Sequence, residues 1–227
     1  MITLYELKGA EDRRYSLFSW RTRMALMHKG LAFETICAPM SDKGALAFSG
    51  GKTVPVIRDG ETVVRDSWKI AEHLEAAYAQ APSLFGGAIG HGLCQTFNIW
   101  ADRTLVPAML PVVVADIHER VDPVDRDYFR AMMEGFLKVK LEAAVGGRDK
   151  ALERLSRALE PLRAALKRQP FVCGAAQAYA DYIVFSVFQW ARVMSPHNIL
   201  AADDPLTSWL ERILDLHAGF ARNVPIA

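Results

Sequence analysis

Every stretch with the character of a β-strand lies in the first 65 residues, and beyond residue 82 the chain offers only helical patterns. That segregation leaves few options: an α/β unit at the front, and a helical block packed behind it. Residues 2–7 (ITLYEL) are short and rich in β-formers, and they predict a strand. The polar run KGAEDRRY predicts a loop. Trp20, Met24, Met27 and His28 then recur at helical spacing with Gly30 as a stop, which predicts a helix over 16–29. A second strand follows at 32–37, then a loop and short helix over 41–50 ended by Gly50-Gly51. Val54-Pro55-Val56-Ile57 predicts a strand, Asp59-Gly60 a two-residue turn, and Thr62-Val63-Val64 the return strand. A helix runs from Ser67 to Tyr78. The expected order is β-α-β-α-β-β-α over residues 1–80, a linker rich in Ala, Gly and Pro over 81–90, and an all-α domain over 91–227. Its helices are predicted at 91–119, 125–145, 149–168, 179–193 and 205–217, with Pro107 and Pro111 kinking or interrupting the first.

The charge balance excludes several function classes. The chain carries 27 basic and 26 acidic residues, which leaves no electrostatic footprint for nucleic acid or a membrane surface. Its apolar runs fall short of the roughly 20 residues a membrane span needs. The N-terminus lacks the basic and apolar regions of a signal peptide. Cys37, Cys94 and Cys173 are too few and too scattered for a disulfide framework or a C-x-x-C motif, so a reducing cytoplasm is the expected compartment. The six histidines form no i, i+4 pair, and no metal site is expected.

Two local features point to a ligand. Pro55 stands at a strand start, where its missing N–H costs no ladder bond. With a cis Val54-Pro55 bond, the Val54 backbone faces outward and pairs with an extended peptide; with a trans bond, Pro55 simply opens an edge strand. Asp66-Ser67 opens the Ser67–Tyr78 helix. Free N–H groups and the helix dipole attract a carboxylate there, and Asp66 offers a charge to an amine. Capping of that helix is the other role open to the pair. Ser16 and Ser19 pose the same choice at the start of the 16–29 helix, since they have the spacing of a C-x-x-C motif with hydroxyls in place of sulfurs.

Taken together, TLYEL, SLFSWRTRMAL, TVPVIRDG, VRDSWKIAEHLE, PFVCGAAQAYADY and DDPLTSWLERILDLHAGF resemble the cytosolic glutathione transferases over essentially the whole chain. Within that superfamily the sequence is most similar to bacterial β-aryl-etherase-type transferases and their fungal relatives, and its catalytic stretch also resembles the zeta class. The resemblance implies a thioredoxin-like first domain, glutathione as co-substrate, a small hydrophobic or aromatic electrophile, and a homodimer. Residue by residue, it implies that Ser16 donates to the glutathione sulfur. Val54 pairs with the cysteinyl backbone, Pro55 is the cis proline, and Asp66 with Ser67 holds the γ-glutamyl head. Lys52 is the implied partner of the glycine carboxylate, with Arg13 and Arg14 as alternatives, and Tyr15 is the rival hydroxyl. Phe97, Trp100, Arg103, Thr104 and Met109 are candidates for the electrophile site, or for simple bundle packing. A zeta-type isomerase and a non-catalytic binder are the competing functions. Leu17 departs from a proline often found after the catalytic residue, and Ala178 leaves the next helix without a side-chain cap. The chain ends soon after its last predicted helix, without the C-terminal extension that aryl-etherases can carry; this weighs against an etherase substrate.

Overall fold

The structure is a computed structural model that describes residues 1–42 and 44–227. Four strands, β1 (Ile2–Glu6), β2 (Phe33–Cys37), β3 (Val56–Asp59) and β4 (Thr62–Arg65), form one sheet in the order β2-β1-β3-β4. β1 and β2 are parallel because helix α1 (Leu17–His28) carries the chain between them. β3 and β4 are a hairpin, antiparallel to each other and to β1. Helix α2 (Ser67–Ala77) follows the hairpin directly. Asp59 pairs with Thr62, so the two turn residues are Gly60 and Glu61. The predicted turn lies one residue too early: Asp59 still belongs to the ladder, and Gly60 supplies the positive φ of 57°. The hairpin's first strand begins at Val56, two residues later than expected, since the chain only joins the ladder after Pro55. The helix predicted within 41–50 is a single 3-10 turn at Ala47–Ser49. That expectation also spans Lys43, which lies outside the described residues.

The helical domain comprises α3 (Ala88–Trp100), α4 (Val106–Arg120), α5 (Arg126–Leu137), α6 (Leu141–Gly146), α7 (Arg148–Leu166), α8 (Tyr179–Met194) and α9 (Pro205–Leu214). α3 and α4 are one helical run, joined by a π turn at Ala101–Leu105. Pro107 has no N–H for the Arg103 carbonyl and its ring would strike it; the wider turn just ahead relieves that conflict, so the proline does not end the helix. The single helix expected over 125–145 is two, broken where Lys138 turns left-handed at φ 59°. α8 is apolar on nearly all sides and is buried along its length except at Arg192, as the central helix of a bundle must be.

Polar ties lock the two domains where they meet. Arg21, on α1 and fully buried, donates to Asn98 Oδ1 (2.8 Å), Asp102 Oδ1 (2.8 Å) and Ser186 Oγ (3.3 Å). The Asp125 carboxylate accepts from the Met40 and Ser41 N–H groups at 2.7 and 2.8 Å. The Tyr179 hydroxyl donates to the Ser67 carbonyl at 2.8 Å. These ties fix both helix starts that carry the predicted site.

Candidate functional site

α1 begins with Ser16 as its N-cap. Its Oγ accepts from the Ser19 N–H at 3.2 Å, satisfying one of the helix's free donors. Accepting that bond uses a lone pair and leaves the hydroxyl hydrogen available to a further acceptor. Ser16 is half-buried, whereas Ser19 is buried and its Oγ has no partner among the described residues. Ser19 contributes its backbone N–H to the first turn.

Tyr15 is in a different position. Its ring is only 4% exposed, packed beside Gly9, and its hydroxyl has no hydrogen-bond partner among the described residues. Burial, with Asp125 and Asp122 nearby, pushes the phenol well above its ordinary range.

A groove of about 560 Å³ runs from Phe18 on α1, past Thr53, Val54 and Pro55, to the start of α2 at Asp66 and Ser67. The Val54-Pro55 peptide bond is cis. Asp66 is the N-cap of α2. Its Oδ1 accepts both the Trp68 N–H at 2.9 Å and the Lys69 N–H at 3.2 Å, and neither bond uses Oδ2. The residue sits at φ 76°, ψ 129°, a conformation that costs an L-residue about 1–3 kcal/mol. Two backbone bonds hold it there: its N–H to the Pro55 carbonyl (3.3 Å), and its carbonyl to the Ile70 N–H (2.8 Å). The cap and the proline turn are thus one rigid unit. Ser67 follows as the first helical residue, 3% exposed but lining the groove.

Among the predicted site residues, the groove gathers Val54, Pro55, Asp66 and Ser67. Ser16 and Lys52 are not among its lining residues: Ser16 stands two residues before Phe18, and Lys52 is exposed two residues before Val54. The two arginines proposed as alternatives lie elsewhere. Arg13 donates to the Ala10 and Ile226 carbonyls and pairs with Glu11, and Arg14 pairs with Glu6 and Asp12. Met109 is fully buried core, whereas Phe97 and Trp100 are half-buried and pack edge-on against each other. Arg103 and Thr104 are exposed on the π turn. The sequence reading missed two groove cations, Arg65 and Lys69, which flank the Asp66-Ser67 pair. Their signal was present in RDSWK, where two positive charges bracket the Asp66-Ser67 helix start.

A family model of the glutathione S-transferase N-terminal domain matches residues 15–77, and one of the C-terminal domain matches residues 92–216. Among solved structures, the chain is similar to glutathione transferase GSTFuA3 from Phanerochaete chrysosporium. Identity is 27% and the TM-score 0.79, over 96% of this chain and 92% of that one. A glutathione S-transferase of Ceriporiopsis subvermispora, solved in complex with glutathione, shares the fold at 22% identity and a TM-score of 0.82, over 100% and 99% of the two chains. With the C-terminal model alone spanning more than half of its residues, the chain belongs to the glutathione S-transferase family.

Proposed function

We propose that the groove binds glutathione and that Ser16 stabilises its thiolate for attack on a small hydrophobic or aromatic electrophile. The observation that carries this reading is the joining of Val54-Pro55 to Asp66-Ser67 in one groove, beside the capped start of α1. The cysteinyl backbone pairs with Val54, as an added strand does. The γ-glutamyl carboxylate meets the α2 N-terminus and Ser67, and its ammonium meets Asp66 Oδ2. Lys52, at the rim, adds positive charge toward the glycyl end.

The chemistry needs a thiolate, since a thiol is a poor nucleophile. A free thiol titrates near 8.5, so little of it is ionised at neutral pH. The Ser16 O–H donates to the sulfur, and the α1 N-terminus adds positive potential. Bringing the thiol to about 6.5 takes roughly 2.7 kcal/mol of differential interaction, within reach of one charge-assisted hydrogen bond and a helix dipole. The sulfur then displaces a leaving group on the electrophile. Residues 1–80 hold glutathione in this reading, and residues 91–227 contribute the electrophile side. A cytoplasmic location supplies reduced glutathione. A homodimer is part of the proposal: α3 carries no charged residue, yet Ile89 and Leu93 are 83% and 61% exposed, one turn apart. A second copy covers that face, and sedimentation velocity reads the association directly.

Ser16→Ala and Asp66→Ala separate binding from chemistry. Ser16→Ala is expected to keep glutathione affinity within a few fold and to lose most turnover with a chlorinated aromatic substrate. Asp66→Ala is expected to weaken glutathione binding by roughly tenfold in calorimetry, the loss of one charge-assisted contact. Full activity in Ser16→Ala sinks the serine assignment, and a normal dissociation constant in Asp66→Ala sinks the head-group assignment.

A further inference from the structure

We propose that Arg65 is the residue that takes the glycyl carboxylate of glutathione, and so selects the tripeptide over thiols that lack this charge. The proposal rests on the glutathione reading above and assigns the one end of the ligand that reading leaves without a direct contact.

Arg65 is the last residue of β4, paired across the hairpin with Val56. Its side chain turns back toward the loop that leads into Val54, where Nη1 donates to the Gly50 carbonyl at 2.6 Å. The arm lies against Gly51. A Cβ on Gly51 would lie 2.7 Å from Arg65 Nη1 and 2.9 Å from its Cδ, so a side chain there would push the arm out of this position. The guanidinium is therefore positioned by backbone alone. Among the described residues it has no carboxylate partner within ion-pair distance, and most of its five N–H donors remain open to a ligand. It is exposed and lines the groove.

The charges of the groove sort themselves along its length. Its lining carries two cations, Arg65 and Lys69, and one anion, Asp66. Glutathione is the complement, with two carboxylates and one ammonium. Lys69 shares the first turn of α2 with Asp66 and Ser67, so it belongs with the amino-acid head group, where both ligand charges are present. Arg65 reaches the other way, to Gly50. A peptide extended over Val54 with its head at α2 runs its glycyl end toward that loop. A planar guanidinium there matches a carboxylate in two parallel hydrogen bonds, which a lysine does not reproduce.

The test uses the full-length protein, with calorimetric dissociation constants for glutathione and for its glycyl monoethyl ester, which lacks this carboxylate charge. The native protein is expected to prefer glutathione by roughly tenfold. Arg65→Met is expected to lose that factor for glutathione while leaving the ester unchanged, so that the preference disappears. Arg65→Lys restores part of it, and Lys69→Met weakens both ligands alike. Equal weakening of both ligands by Arg65→Met would mean that the arginine only supports the loop, and would overturn the proposal. So would loss of the preference in Lys52→Met with Arg65→Met unaffected. A native protein that binds neither ligand overturns the glutathione reading itself, a failure distinct from the other two.

Discussion

Burial separates two neighbouring hydroxyls, those of Tyr15 and Ser16. A phenol held in the core beside Asp125 and Asp122 resists ionisation and makes no bond among the described residues. Ser16, at the helix start and half-buried, accepts from the Ser19 N–H and keeps its hydroxyl hydrogen for a further acceptor. Tyr15→Phe is therefore expected to leave turnover unchanged and to alter stability by less than about 1 kcal/mol, since no paired hydrogen bond is lost. Steady-state kinetics and a urea titration check both halves, and a large loss of turnover would return the tyrosine to the chemistry. Asp66 shows how one carboxylate serves two roles: Oδ1 closes the helix cap, and Oδ2 faces the ligand in the proposed complex. Capping and binding were alternatives in the sequence; the geometry allows both at once.

At the scale of elements, the helix starts carry the design. α8 begins at Ala178, which has no side-chain acceptor, and the following Asp181 takes over the junction. Its fully buried carboxylate accepts the N–H groups of Val172 (2.7 Å), Cys173 (3.2 Å) and Ala178 (3.2 Å), and the Trp209 indole N–H (2.9 Å). Asp181→Ala strands the buried Trp209 indole N–H and removes the acceptor of three backbone N–H groups at the junction, and is expected to cost about 3–5 kcal/mol, read as a shift in the urea midpoint. A change below about 1 kcal/mol would show that the junction is held by packing instead. The missing side-chain cap at Ala178 was legible in the sequence because capping is a local affair. So was the α1 start at Ser16, and so was the hairpin, to within two residues. The π turn at Ala101–Leu105 was not. Two prolines read as a break, while the packing of α4 against its neighbours keeps the helix running through a local widening. The bed of Arg65 was hidden for a similar reason. It depends on Gly51 and Arg65 meeting across a fold, which no spacing along the chain announces.

For the whole molecule, the seam between domains carries a pH dependence. His28 Nε2 faces the Ser83 carbonyl at 3.0 Å, which only accepts, so Nε2 bears the proton and Nδ1 accepts from the Tyr182 hydroxyl at 2.8 Å. Burial lowers the His28 pKa below its ordinary value of 6.5, and burial lowers His217 and His118 as well. The folded protein thus binds fewer protons than the unfolded chain in the window just below that value. Stability from these groups is complete above pH about 6.5 and is lost as the pH falls through the lowered folded values. The melting temperature is expected to drop between about pH 7.5 and pH 5.5, and to drop less in His28→Gln. An identical slope in the variant would remove His28 from the account.

In the proposed complex the capped start of α1 ionises a thiol the protein does not itself supply. The direct measurement is the pKa of glutathione bound to the protein, followed by the ultraviolet absorbance of the thiolate across a pH series. A value near 6.5 is expected in the native protein, about two below the free thiol, with a return toward about 8.5 in Ser16→Ala with the ligand still bound. The same value in both proteins, or a native value at that of free glutathione, would contradict it.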